Sequence, residues 1–157
     1  MRTSARACSS HGAKTLQEAV FLNRVLKWYP QVGRAEFEAD TRHVEVVLKT
    51  LGLERAAEVS TPAARRAKKE ELVQLSGAVP LKEEDVKLYR SLVMRINYMA
   101  QDRPDLSYVA GSLARGMKAP TSKQWEELRR VGRYLRGHPV GALVFEPQEL
   151  PGMLEVF

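Results

Sequence analysis

Cysteine occurs once in these 157 residues, at Cys8, which excludes an intramolecular disulfide framework and any multi-cysteine zinc site. Aspartate is nearly as scarce: Asp40, Asp85, Asp102 and Asp105 are the full set, and no two are adjacent. Two-metal phosphoryl chemistry needs several converging carboxylates. The only close pair, Asp102 and Asp105, flanks a helix break, where Asp105 reads as an N-cap and Asp102 as a loop residue. Aromatic residues make up 7%, so the core must lean on Leu, Val, Ala and Met. No apolar run approaches the roughly 18 residues of a membrane span. Gly-rich phosphate loops, nucleophile elbows and HExxH are all missing. His11, His43 and His138 lie far apart, none with a ligand partner at i+3 or i+4; Ser107 and Ser112 have no nearby His. Metal ligation and nucleophilic catalysis therefore find no support.

What is present is positive charge in a globular background. Lys and Arg number 25 against 19 acids, a formal charge of +6, while 44% of residues are hydrophobic and 28% charged. That balance suits one domain with a real core, and a polyanionic partner, nucleic acid before an acidic membrane surface. A merely soluble basic protein has the same composition. The start of the chain, residues 1–14, is rich in Arg, Ser and Ala without an acid, a transit-peptide composition on too short a segment. It reads as a disordered start, and a single free thiol there fits a reducing compartment.

Along the chain, Pro30 and Gly33 punctuate two runs rich in strand formers, which predicts a hairpin of 23–29 with 34–38. Asp40 stands at an N-cap position before Val44, Val47, Leu48 and Leu51, one apolar face of a short helix that Gly52 stops. Residues 54–80 read as a linker. Ser60-Thr61-Pro62 marks a turn or cap within it, and Arg65, Arg66, Lys68 and Lys69 are a secondary candidate for phosphate contact. A longer helix is predicted over 83–100, opened by Glu83, Glu84 and Asp85 at the positive end of its dipole. It is broken at Arg103-Pro104 because a residue before proline avoids the α region. The next helix buries Leu106, Val109, Ala110, Leu113 and Met117, with Gly111 and Gly116 weakening it by about 1 kcal/mol each.

Thr121 and Gln124 form a capping-box pair that opens the last helix, which runs to about Arg136 before Gly137 and Pro139. Trp125, Leu128, Gly132 and Leu135 share one flank, with Trp125 as a core anchor. Beside that flank Arg129, Arg133 and Arg136 fall within about 60° of one another at 100° per residue. Guanidinium forks at regular intervals on a rigid helix suit phosphate oxygens. With Arg130, and with Lys118 and Lys123 flanking the Pro120 turn, they form the candidate nucleic-acid-binding set. The competing reading is a solvated face on which Glu126 and Glu127 supply local pairs. Two short strands, ALVFE and MLEVF, follow. The fold expected is α+β and mainly helical: a small N-terminal β-hairpin, four to five helices and a short C-terminal strand pair.

Tyr89-Arg90-Ser91-Leu92-Val93, Asn97-Tyr98-Met99-Ala100 and Arg103-Pro104-Asp105-Leu106 are followed in order by Met117, Pro120-Thr121, Trp125, Leu128-Arg129-Arg130 and Arg133-Tyr134-Leu135-Arg136-Gly137. Upstream stand Glu38-Ala39-Asp40, His43-Val44-Glu45, Leu51-Gly52-Leu53 and Val59-Ser60-Thr61-Pro62. As an ordered set over about 20–157, these segments resemble the Pol polyproteins of copia-type LTR retrotransposons, in the stretch just after the reverse transcriptase palm. The resemblance implies a fragment corresponding to the end of the palm, the thumb and the connection that precedes ribonuclease H. It divides the chain into an unrelated disordered tail (1–19), an end-of-palm hairpin and helix (20–53), a linker (54–80), a helical thumb and connection (81–139) and the start of a strand pair (140–157). It further implies an RNA–DNA or DNA duplex as partner, with the missing palm and ribonuclease H domains. The parent family uses Mg, but neither of its catalytic carboxylate sets has a counterpart here, so the isolated chain is expected to lack enzymatic activity and a cofactor. The implied location is intracellular, in a cytoplasmic particle or the nucleus. A non-catalytic helical protein-interaction module and an inactive genomic relic are the alternatives.

Overall fold

A computed structural model describes residues 17–63 and 79–147. The second strand expected at 153–157, the basic run at 65–69, Cys8 and His11 lie outside the described residues. The chain divides into two compact units, a sheet unit up to Ala39 and from Ala142, and a helical unit over Asp40–Gly141.

The sheet unit is a four-stranded antiparallel sheet in the order β1-β2-β3-β4: β1 Gln17–Phe21, β2 Arg24–Tyr29, β3 Arg34–Glu38 and β4 Ala142–Phe145. The hairpin of β2 with β3 matches the sequence expectation, with Trp28 opposite Ala35 and Leu26 opposite Phe37. Its turn closes through the Val32 N–H donating to the Tyr29 carbonyl at 3.2 Å, and Gly33 takes the left-handed conformation at φ 65°. Strand β1 is an addition: the segment expected to be unstructured through residue 19 begins pairing at Gln17, opposite Trp28. It turns into β2 through Leu22 and Asn23, both at positive φ (49° and 61°), the two-residue turn whose twist matches a hairpin. One face carries Ala19, Leu26, Phe37 and Leu143 in register; the other pairs Lys27 with Glu36 and ties Lys27 to Glu38 and Tyr29 to Glu36.

The helical unit contains α1 Arg42–Leu51, α2 Glu83–Met99, α3 Pro104–Arg115 and α4 Ser122–Gly137. Each buries one apolar stripe. Val44, Val47 and Leu51 meet Tyr89, Leu92, Val93, Ile96 and Met99, and Leu106, Val109, Ala110 and Leu113 meet Leu128, Val131 and Leu135. Gly52 ends α1 at φ 63°, its N–H donating to the carbonyls of Leu48 and Lys49. Arg103 is extended before Pro104, at φ −127°, and breaks α2 from α3 as expected. Two cap assignments move. Thr41, rather than Asp40, is the N-cap of α1, and Arg103, rather than Asp105, is that of α3, because both aspartates turn their carboxylates to an arginine instead.

Tyr89 is fully buried, and its hydroxyl donates to the Leu113 carbonyl at 2.8 Å, joining α2 to α3. Burial, with a smaller contribution from Glu127, pushes its phenol up to about 12. Tyr89→Phe is expected to cost about 1 kcal/mol, the net worth of one buried hydrogen bond, measured by urea unfolding. Among the described residues no helix is long and apolar enough to cross a membrane.

Candidate nucleic-acid interface

Helix α4 carries five of the six candidate residues, all but Lys118, and is held in place at both ends. At its start the Thr121–Gln124 capping box forms as predicted: the Thr121 N–H donates to Gln124 Oε1 at 3.0 Å, and the two side chains also pair. Leu81 N donates to Pro120 O at 3.1 Å, which fastens the preceding turn. Leu128, Val131, Gly132, Tyr134 and Leu135 face the core, and Trp125 packs against it partly buried, as an anchor.

The C-terminal end is fixed by a closed ring of contacts. Arg103 is 3% exposed; its guanidinium donates to Asp105 Oδ2 at 2.7 Å, to Asp105 Oδ1 at 3.3 Å and to the His138 carbonyl at 2.7 Å. The Tyr134 hydroxyl donates to the same Asp105 carboxylate at 2.9 Å, and the His138 ring stacks on Tyr134 with centroids 4.5 Å apart. Burial alone would raise Asp105; the hydrogen bonds from Arg103 and Tyr134, with the Arg103 charge, outweigh it and hold the carboxyl below the usual range. Tyr134 is raised, first by burial and then by its bond to Asp105. The Arg103-Pro104-Asp105 segment, a helix break in sequence, is thus also the clamp between the start of α3 and the end of α4.

The arginines of α4 divide into two classes. Arg136 is spent internally: Nε donates to the Glu54 carbonyl at 2.9 Å, and Nη1 donates to the Ala56 carbonyl at 2.7 Å and to Glu58 at 3.2 Å. Arg130 donates through Nη2 to the Thr61 hydroxyl at 3.0 Å. Arg129 and Arg133, both half-buried, have no hydrogen-bonding or ionic partner among the described residues. They lie one turn apart, a rise of about 6 Å. Lys118 and Lys123 are exposed at the turn and the first turn of the helix. At 100° per residue Lys123 and Arg130 project within about 20° of each other, and Arg129 and Arg133 within about 40°. Glu126 sits on this same exposed side and tempers its charge. Helical angle groups Arg136 with Arg129 and Arg133, but it does not reveal the carbonyls of the 54–58 segment.

Arg90 has a role that no local pattern signals. Its guanidinium donates to the carbonyls of Met117 (2.8 Å) and Lys118 (3.2 Å), satisfying backbone acceptors after α3. The Asp40 carboxylate is similarly occupied. Asp40 accepts the Arg42 N–H at 3.0 Å and its guanidinium at 2.8 Å; these bonds, against the opposing pull of burial, hold Asp40 low. His43 Nδ1 lies 3.3 Å from the Arg95 guanidinium, and its ring rests against that of Tyr98. Among the described residues no three His, Cys, Asp or Glu side chains gather to hold a metal ion.

Several known proteins are similar to this chain. A retrovirus-related Pol polyprotein from transposon RE2 of Arabidopsis thaliana is 42% identical over 84 residues, 54% of this chain and 5% of that protein. One from transposon TNT 1-94 of Nicotiana tabacum is 31% identical over 117 residues, 73% of this chain and 9% of that protein. An uncharacterized mitochondrial protein of Arabidopsis thaliana is 28% identical over 117 residues, 74% of this chain and 45% of that protein. The chain thus spans less than a tenth of the polyproteins it matches and under half of the mitochondrial protein. No protein-family model matches it, and no solved structure does.

Proposed function

Because this chain is homologous to the retrovirus-related Pol polyproteins of copia-type transposons, we propose that it supplies the thumb and connection of a reverse transcriptase and grips a template–primer duplex through α4. The observation that carries this reading is the division among the α4 arginines. Arg136 and Arg130 are bonded within the helical unit, while Arg129 and Arg133, on a helix pinned at both ends, have no partner among the described residues for their guanidinium donors. Bidentate contact to phosphate oxygens is what such groups do best, and Lys118 and Lys123 add exposed charge beside them.

Catalysis on this reading belongs to other parts of the polyprotein. Asp40 and Asp105 are bound to arginines, a donor set that does not fit a divalent ion. A second reading, a protein-interaction module, is favoured by one feature: Phe21, Trp28 and Phe145 stand exposed on one face of the sheet. Oligomers on a sizing column without affinity for nucleic acid support that alternative.

Fluorescence anisotropy with a labelled RNA–DNA duplex separates the two. Sequence-independent binding is expected, with log affinity falling linearly in log salt by about one unit of slope per phosphate contacted. Arg129→Glu with Arg133→Glu should weaken it by about a hundredfold at 0.1 M salt, while the paired Lys substitutions retain most of it. Affinity indifferent to 0.5 M salt, or to the Glu pair, rejects the proposal.

A further inference from the structure

The contact between Arg130 and Thr61 differs from those of Arg136, Arg103 and Arg90 in the helical unit. Arg136 meets two carbonyls and a carboxylate, Arg103 a carboxylate and a carbonyl, and Arg90 two carbonyls. Arg130 meets one neutral hydroxyl, and its Nε is shielded from solvent with no hydrogen-bond partner among the described residues. A guanidinium with five N–H donors is thus engaged through one of them. The hydroxyl it meets is exposed, donates to the Ala63 carbonyl at 3.1 Å, and is followed at once by Pro62. A residue before proline favours extended backbone, the shape in which a kinase cleft takes its substrate.

We propose that Thr61 is a phosphoryl-acceptor site for a proline-directed protein kinase, and that Arg130 is the cation that receives the resulting phosphothreonine. In the transfer, Thr61 Oγ1 gives its proton to the kinase's catalytic carboxylate and forms a bond to the γ-phosphorus. The bond between the β- and γ-phosphoryl groups of the nucleoside triphosphate breaks, and nucleoside diphosphate leaves. The new group adds about two negative charges at neutral pH and three acceptor oxygens. It stands where Arg130 Nη2 already lies 3.0 Å from the threonine oxygen, so a bond from a cation to a neutral hydroxyl becomes an ion pair. The bond that Oγ1 donated to Ala63 is lost, at little cost for a carbonyl that water can reach. On the duplex-binding reading, the modification also cancels charge on the phosphate-gripping side of α4 and weakens that grip.

The test uses the full chain, a purified proline-directed kinase and Mg-ATP. Mass spectrometry should place phosphate on Thr61, with incorporation abolished in Thr61→Ala. In a phosphorus-NMR titration the phosphothreonine should titrate about half a unit or more below its value in the urea-unfolded chain, near 6; Arg130→Gln should remove that difference. Failure of the folded chain to accept phosphate at Thr61, or an unchanged titration in Arg130→Gln, overturns the proposal. Duplex affinity of the phosphorylated chain is expected to fall about three- to tenfold at 0.1 M salt. If the unmodified chain binds no duplex, the template–primer role fails, while the titration still decides the phosphorylation site.

Discussion

Asp105→Asn should destabilise the helical unit by about 2–3 kcal/mol, read from urea unfolding at neutral pH. Removing one member of a fully buried pair costs about 3–5 kcal/mol, and Asp105 is discounted because its side chain is 35% exposed whereas that of Arg103 is 3% exposed. The asymmetry gives a sharper expectation. Arg103→Met leaves a carboxylate that water can reach, so it should cost less than Asp105→Asn, which leaves a shut-in guanidinium facing only neutral oxygens, the amide and the His138 carbonyl. An equal or larger loss from Arg103→Met would contradict the clamp as described.

The same group sets an acid limb. Asp105 is held below its ordinary value of 3.8, so its contribution is complete above that value and is lost as pH falls through the lower folded one. Asp40 acts in the same direction through Arg42. Tyr134 and Tyr89 act at the other end: both are raised above 10.0, so their contribution is complete below that and disappears as pH climbs through the folded values, about 12 for Tyr89. A stability plateau between about 4 and 10 follows, and Asp105→Asn should flatten part of its acid edge.

Gly132→Val is the second large effect, an expected loss of about 3 kcal/mol from overpacking. A Cβ at Gly132 would lie 2.6 Å from Leu53 Cδ1 and 3.2 Å from Leu51 Cδ1, and both leucines are buried against the core. Helix propensity alone predicts a gain, since valine forms helix better than glycine. Adding Leu53→Ala to Gly132→Val should recover part of the loss, a non-additivity that contact at this point requires. Additive losses would show that Leu53 and α4 do not meet there.

Much of the helical unit was legible because its information is local. The spans of α1 to α4, the Gly52 stop, the Arg103-Pro104 break and the Thr121–Gln124 box depend on spacings of a few residues, and each forms where expected. What escaped depends on partners distant in sequence. Asp105 fits an N-cap until Arg103, two residues before it, takes its carboxylate in a pair that Tyr134, 29 residues away, completes. Arg136 fits a phosphate stripe until carbonyls about 80 residues earlier claim it. Strand β1 escaped for another reason: its turn uses Leu22-Asn23, where a glycine would have signalled a hairpin. The kinship was legible because order and spacing over the whole set are far more specific than any one motif.

Strand β4 joins β3 with Glu38 opposite Ala142, so the two ends of the intervening helical segment are brought side by side. Closing a loop of that length is entropically expensive for an open coil, and cheaper once the loop has compacted by itself. The helices, rich in short-range contacts, should therefore nucleate first and deliver β4 to its slot. The sheet would complete last, as a late-folding element whose hydrogen-exchange protection follows the helical unit's rather than preceding it.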